Sequence, residues 1–303
     1  MSKIKTPEME RINARIRTKD GKVREYSFWR EAWFRLSRNR TAVIGMIIIL
    51  MIILCAVLAG ILSPYDPTVA DYMAAKQPPS AEHWFGTDNL GRDIFSRCMY
   101  AARVSFPLGV ICAVLGLICG GFIGMIAAFF GGKVDNILMR IVDVFQSIPG
   151  MLMAIVVVAT LGSGTTQLLL ALTISMLPSM SKTVRAAIFT VRGNEYMEAS
   201  RSVGASNMRL MLVHAFPNAI GHIIIFAVGM ISASIMIISS LSYIGLGIQP
   251  PTPEWGAMLS TGKDYMQSSA HMVLFPGLMI MITVLGFNLF ADGLRDALDP
   301  RLK

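Results

Sequence analysis

Long uncharged apolar runs, separated by short charged segments, set the pattern of this chain. The first run, residues 41–63, contains no charged side chain. At about 1.5 Å per helical residue it reaches about 34 Å, enough to cross a hydrocarbon core of about 30 Å. Further runs occupy residues 104–130, 144–161, 168–181, 219–248 and 272–290. Because lipid offers no partner to free backbone groups, these runs predict helices, and the fold class is all-α: a polytopic membrane protein with six transmembrane helices. An even number of crossings puts both termini on the same side. The fourth run is short and holds Pro178, so it either continues as a helix toward Arg185 or tilts little and ends early.

These runs divide the chain into a polar N-terminal region (1–40), a first transmembrane helix (41–63), a loop (64–103), a core transmembrane domain (104–290) and a tail (291–303). The core holds an interior charged loop at 182–218. Of the 27 Lys and Arg, the loops on one side carry only Lys76, Arg92, Arg97, Arg103 and Lys263. The excess of positive charge on the other side places the N-terminus, the 182–218 loop and the C-terminus in the cytoplasm. No short apolar segment with a small-residue cleavage site precedes residue 41, so the first run is expected to be an uncleaved anchor. Within residues 27–40, Trp29, Ala32, Trp33 and Leu36 share one helical face, while Arg30, Glu31, Arg35 and Arg38 lie on the other. This pattern predicts an amphipathic helix lying on the inner surface of the membrane against lipid, with a plain basic flank of the first crossing as the alternative.

Composition adds exclusions. With 54% hydrophobic residues and a mean hydropathy of +0.57, the chain is too apolar for an ordinary soluble domain. Its net charge of +8 follows from topology and anionic lipid, and no aromatic residues are interleaved with the basic ones in a way that suggests nucleic acid. Cys55, Cys98, Cys112 and Cys119 form no CxxC pair, and His83, His214, His222 and His271 have no ligand spacing on one helix, so no metal site is expected. No P-loop occurs: Lys133 and Lys263 each follow a glycine, but Val134 and Asp264 stand where a hydroxyl is required and Ala127 and Ala257 where the leading glycine is. An intramembrane enzyme would need clustered catalytic groups. A secondary transporter would need ionisable groups within its crossings, where only Arg140 and Asp143 lie near the inner end of the third.

Within the runs, Gly116, Gly120 and Gly124 repeat every fourth residue and, with Gly109 and Cys112, form a small-residue stripe for close helix packing. Pro149 and Gly150 interrupt the third run just after Gln146 and Ser147, freeing carbonyls toward a cavity. In the fifth run Ser232, Ser239 and Tyr243 fall on roughly one face. They either line a wet passage or make interhelical hydrogen bonds.

Two charged stretches carry the most specific patterns. In the 182–218 loop, Glu198, Ala199 and Ser200 close a short helix with Tyr196 and Met197, and Gly204 stops it before Ala205. Ser206 or Asn207 then caps a second helix reaching Phe216, with Pro217 after it. In spacing, Glu198, Ala199, Gly204 and Pro217 resemble the EAA loop of bacterial ABC importer permeases, with Ser200, His214 and Phe216 replacing the usual Ala, Ile and Leu. Before the second run, HWFGTDNLGRDIFSRCMYAARVS holds His83, Gly86, Thr87, Asp88, Gly91, Arg92 and Asp93. It is similar to the signature of peptide and nickel importer permeases. The glycines would permit tight turns and the charges would knit the loop into a structural cap. YIGLGIQPPTPEWGAMLS at residues 243–260 and the GLRDALDPRLK ending are similar to the same family.

The resemblance implies the permease fold of type I ABC importers and the second permease of a dipeptide or oligopeptide importer, multi-pass in a bacterial cytoplasmic (inner) membrane. It implies a second, distinct permease subunit, two ATPase subunits and an extracytoplasmic substrate-binding protein as partners. It also implies no cofactor in this chain, with ATP and Mg held by the ATPase subunits. Transport would follow alternating access, with the EAA-like loop coupling ATP binding to the switch between inward-open and outward-open states. Dipeptides, longer oligopeptides, nickel complexes and glutathione are all handled by similar permeases, and the binding protein does most of the selecting.

Overall fold

The computed structural model describes residues 28–298; the basic segment 1–27 and the last tail residues, 299–303, lie outside the described residues. A short helix, α1 (Phe28–Leu36), leads into α2 (Arg40–Leu62). Asn39 caps α2 by accepting from the backbone N–H groups of Thr41 and Ala42 at 3.0 and 3.2 Å. A loop with one 3-10 turn at Tyr72–Ala74 follows, and then α3 (Ile94–Phe130), α4 (Gly132–Gln146), α5 (Gly150–Leu161) and α6 (Thr165–Arg192). The chain closes with α7 (Glu195–Ser202), α8 (Asn207–Tyr243), α9 (Trp255–Gly262) and α10 (His271–Leu298).

Four of these helices, α2, α3, α8 and α10, are long and apolar enough to cross a membrane. The third apolar run is not one straight crossing: α4 and α5 meet at a bend of 78°. Pro149 stands at the break and Ser147 ends α4, so the ladder of carbonyl acceptors is interrupted there. The fourth run extends well past residue 181, because α6 is 28 residues long and continues through Pro178 to Arg192. Its second half is polar for a crossing: Lys182 and Arg185 pair with carboxylates on α4, and Arg192 donates to the Ala128 carbonyl on α3. Six crossings are reached only when the bent pair and α6 each count as one.

Packing follows the small residues. The most extensive helix pairing is α3 with α6, along the glycine stripe. A Cβ on Gly120 would sit 2.7 Å from the Leu177 carbonyl oxygen, and one on Gly124 would collide with that of Ser181. The backbones therefore touch where apolar burial alone gives no drive for helices to associate in lipid. A second seam joins α2 to α10, where a Cβ on Gly45 would sit 2.6 Å from the Phe290 nitrogen and one on Gly293 would collide with Ala42.

Helix α1 lies within the residues 27–40 expected to form an amphipathic helix, and part of its apolar face packs against the bundle. Ala32 and Leu36 are buried, Leu36 packing with Ala42 and Ala297, while Trp33 is 62% exposed. Half of the apolar face is thus occupied by α10. The side chain of Trp29 lies outside the described residues.

The two ends of the bundle carry separate cores. Ile52, Ile94, Cys98, Trp255 and Met272 cluster beneath the 63–93 loop. Phe129, Ile188, Met197, Leu210 and Ala219 cluster beneath α7.

Candidate functional site

Helix α7 ends in a Schellman motif, and this shapes a knob at one end of the bundle. Gly204 has a φ of +85°, Ala205 N–H donates to the Ser200 carbonyl at 3.1 Å, and Gly204 N–H donates to that of Arg201 at 3.0 Å. Ser206 then caps the next helix, its hydroxyl accepting from Arg209 N–H at 3.4 Å. Met197 and Leu210 anchor the two halves in the core below. Glu198, Ala199 and Gly204 are exposed, Ser200 and Ala205 are partly exposed, and Val203 is 87% exposed. Among the described residues nothing covers the tip.

The second helix of the knob does not stop at Phe216 as its sequence suggested. It continues as α8 through Pro217 to Tyr243. Pro217 has no N–H to donate, and the preceding turns open into a π-helix at Leu210–Ala215 that absorbs the fault. Asn218 Nδ2 donates to the His214 carbonyl at 2.6 Å. The knob and a membrane-crossing helix are therefore one continuous element, a consequence that the helix-breaking reputation of proline hid from the sequence.

The bent pair α4–α5 encloses, with α6, a recess of about 180 Å³ lined by Gln146, Pro149, Met153, Ile174, Ser175 and Ser179, among others. Pro178 also lines it, and its missing N–H leaves the Ile174 carbonyl without an intrahelical donor. Two interrupted helix ladders thus meet at one recess, giving backbone acceptors and hydroxyls beside apolar walls. Ser147 lies next to it in sequence, exposed, with its hydroxyl donating to the Val144 carbonyl at 2.7 Å. Two ion pairs tie α4 to α6. Arg185 donates to both carboxylate oxygens of Asp135, at 2.5 and 2.6 Å, and Lys182 Nζ lies 2.6 Å from Asp143. Sequence reasoning had no means of pairing residues about forty to fifty positions apart.

The serines of α8 are divided. Ser232 Oγ lies 2.7 Å from both Asn288 Oδ1 on α10 and the Gly229 carbonyl, which places it within reach of an interhelical hydrogen bond. The hydroxyl of Ser239 is buried without a partner, and its backbone lies against Gly256. Tyr243 is 41% exposed, with Lys263 Nζ 5.3 Å from its ring centroid.

At the opposite end, all seven residues of the 83–93 motif converge. Asp88 accepts from Arg92 Nε at 2.7 Å and from the N–H groups of Leu90 and Arg92, while Arg97 Nε stands 3.6 Å away. His83 Nδ1 lies 3.0 Å from Asp93 Oδ1, and the other oxygen of Asp93 caps α3 through Ser96 N–H at 2.7 Å. Thr87 donates to the Ala74 carbonyl and accepts from Gln77 N–H. Gly86 and Gly91 both have φ of +76°, and a Cβ on Gly91 would collide with the Asp71 carbonyl. His83, Asp88, Arg92 and Asp93 are all buried. They form a cement under the loop, and a narrow crevice lined by Asp88, Arg92 and Arg97 reaches toward them.

One structural residue at this end was missed in the sequence. Glu254 is fully buried and caps α9, accepting from the N–H groups of Gly256 and Ala257 at 3.0 and 2.8 Å and from Ser105 Oγ at 3.1 Å. Burial pushes its carboxyl above the usual glutamate range despite these donors. An acid just before a short apolar helix is a cap signal the sequence does offer.

A family model described as the binding-protein-dependent transport system inner membrane component matches residues 120–303. Another, described as the N-terminal TM domain of oligopeptide transport permease C, matches residues 27–79. The glutathione transport system permease protein GsiD of Pectobacterium atrosepticum is 42% identical over 276 residues, covering 91% of this chain and 92% of its own length. The protein of the same name from Escherichia coli O6:K15:H31 is 41% identical over 293 residues, covering 96% of each chain. Among solved structures, an inward facing conformation of the MetNI methionine ABC transporter superposes with a TM-score of 0.57 at 16% identity, covering 66% of this chain and 96% of that one. An amino acid ABC transporter gives 0.51 at 14% identity, covering 65% and 91%. At such identities the likeness is one of fold.

Proposed function

The chain belongs to the family of inner membrane components of binding-protein-dependent transport systems, as a permease of the C type, and from that premise we propose that it forms half of an ATP-driven uptake pathway for glutathione or another short peptide. ATPase subunits dock on the knob around Glu198, Ala199, Ser200, Gly204 and Ala205. A second, distinct permease supplies the facing wall, and an extracytoplasmic binding protein delivers the solute. ATP and Mg belong to the ATPase subunits. The knob, the N-terminus and the C-terminus face the cytoplasm and the 63–93 loop faces outward, a sidedness supported by the distribution of Lys and Arg.

The observation that carries this reading is the continuity of the exposed knob with α8. A displacement imposed on Ser206 by a closing ATPase pair is carried along one helix to Tyr243, with the π-helical Leu210–Ala215 segment as the place where it bends. For ATP to drive transport, the knob must make different contacts in the two states. The recess at the α4–α5 bend, with Gln146 and Ser147 at its edge, supplies backbone acceptors suited to the amide and ammonium N–H groups of a peptide. Substrate class is supported by the glutathione permeases named above; a nickel complex is the alternative solute within the family.

The test is uptake into proteoliposomes holding both permeases and the ATPases, with binding protein added outside. ATP-dependent accumulation of labelled glutathione or dipeptide is expected, and this chain alone should give neither uptake nor ATP hydrolysis. Uptake driven by an ion gradient without ATPases overturns the importer reading. Uptake by a homodimer of this chain with ATPases overturns only the second permease. For sidedness, cysteines placed near Lys76 and Lys263 should react with an impermeant reagent from outside and one at Ser206 should not; labelling of Ser206 in intact cells would invert the model.

A further inference from the structure

The buried motif under the 63–93 loop holds up something specific: the 3-10 turn Tyr72–Ala74, which projects Met73 at 94% exposure and Tyr72 at 73%, with Val69 beside it at 65%. The turn is braced along its length. Before it, the Pro67 carbonyl accepts from Arg97 Nη1 at 2.6 Å. Within it, Asp71 accepts from Met73 N–H at 3.0 Å, and the Ala74 carbonyl accepts from the buried Thr87 hydroxyl. After it, Lys76 N–H donates to the Asp88 carbonyl at 2.9 Å. Gly91 must lack a side chain for Asp71 to come this close. A large flexible apolar residue and an aromatic, fully presented on an immobilised turn, form the kind of pre-organised anchor that concentrates binding energy at protein interfaces.

The charges around the turn define what would bind it. The exposed charged side chains of the loop are Asp66, Asp71, Glu82 and Lys76, and Lys76 Nζ is placed 4.1 Å from the centroid of the Tyr265 ring. Every other charged group of the loop is buried. An acidic rim repels an anionic lipid surface and attracts a basic protein surface.

We propose that the Tyr72–Ala74 turn is the anchor on which the soluble binding protein docks, with Met73 and Tyr72 entering an apolar recess rimmed by Lys or Arg on that protein. This rests on the importer reading above and on the sidedness that goes with it. The motif from His83 to Asp93 then acts as the rigid support of a docking point, without touching the partner itself.

The test uses the complete importer in lipid nanodiscs with its own binding protein, loaded with glutathione, and follows ATP hydrolysis against binding-protein concentration. Met73→Glu combined with Tyr72→Ser should raise the half-maximal concentration at least tenfold and leave basal hydrolysis unchanged. Glu82→Lys should raise it by a smaller factor that shrinks with added salt. A photo-crosslinking amino acid at position 73 should join the binding protein. Stimulation of the double variant at the wild-type concentration overturns the docking point alone, as does crosslinking at position 73 to lipid and not to protein. A wild-type complex that no binding protein stimulates overturns the importer reading, and the docking point with it.

Discussion

Both ends of the bundle join basic and acidic side chains, yet the two sets live in opposite environments. At the loop end, Asp88 pairs with Arg92 and faces Arg97, with no more than 9% of any of these side chains exposed. At the knob end, Lys182 and Asp143 pair with 42% and 50% of their side chains exposed, and beyond them Glu198 and Arg201 are exposed among the described residues. Identical chemistry therefore does different jobs. Buried charges that lose their partner are penalised heavily, so they hold one conformation. Exposed pairs are exchanged for water at little cost, so they permit an element to move or to re-pair with another protein.

The sharpest way to break this comparison is Asp88→Ala, which leaves Arg92 and Arg97 buried without a carboxylate. Loss of one partner from a buried pair costs about 3–5 kcal/mol. The variant is expected to show a large drop in thermal stability in detergent and a fall in folded yield. An unchanged melting temperature would mean that water reaches the loop and that the cement is not closed.

How far each end could be read from the sequence follows the same division. The motif residues from His83 to Asp93 lie within eleven positions, and their turns and pairs are local, so a tight charged cap was legible. So was Gly204 as the stop of α7, since a Schellman ending is written in adjacent residues. The ion pairs between α4 and α6 were not legible, because the partners meet only once two helices have packed. Pro217 misled, because it looked like a boundary, while Pro178 left two readings open and the helix takes the one that continues toward Arg185. Each proline is absorbed, one beside a recess and one by a π-helical turn, because neighbouring elements hold the helix on course.

Glu254 extends the loop-end side of the comparison to pH. Its carboxyl is raised above the ordinary value of 4.5 by burial, so the folded state holds the proton more tightly than the unfolded one. Stability is then greatest below the unfolded value, declines as pH rises above it, and levels off beyond the raised value. Melting temperatures of wild type measured from about pH 4 to about pH 8 should show this decline, and Glu254→Gln should flatten it. The glutamine also presents an N–H₂ where Gly256 and Ala257 offer donors, at an expected loss of about 1–3 kcal/mol. A decline that persists in the variant would assign it to another group.

Gly204 tests the knob end. A Cβ there meets nothing within 4 Å, so the whole penalty of Gly204→Ala is the φ of +85°, about 1–2 kcal/mol. The cost falls on a surface motif and should leave membrane insertion intact while reducing binding-protein-stimulated ATP hydrolysis. Gly204→Pro, which also removes the N–H donated to Arg201, should reduce it further, and Glu198→Lys should do so by reversing a charge at the tip. Normal coupling in all three variants would remove the knob from the transport cycle.

The smallest effect is expected where the two ends are chemically most alike. Lys182→Ala breaks an ion pair with a separation of 2.6 Å, as short as the pairs at the loop end, so distance alone would rank it beside Asp88→Ala. Exposure argues the reverse: water takes over both partners, and exposed pairs contribute about 0–1 kcal/mol. Raised salt should erase even that difference, since screening acts fully on an exposed pair. Arg185→Ala lies between, because Asp135 keeps only 10% of its side chain exposed and accepts two bonds from the lost guanidinium. Melting temperatures measured for the three variants at low and high salt should fall in the order Lys182→Ala, Arg185→Ala, Asp88→Ala, with salt dependence in the opposite order. A Lys182→Ala loss as large as that of Asp88→Ala would show that the α4–α6 junction is closed off from water in the membrane, and that the bend beside the recess is held as rigidly as the loop.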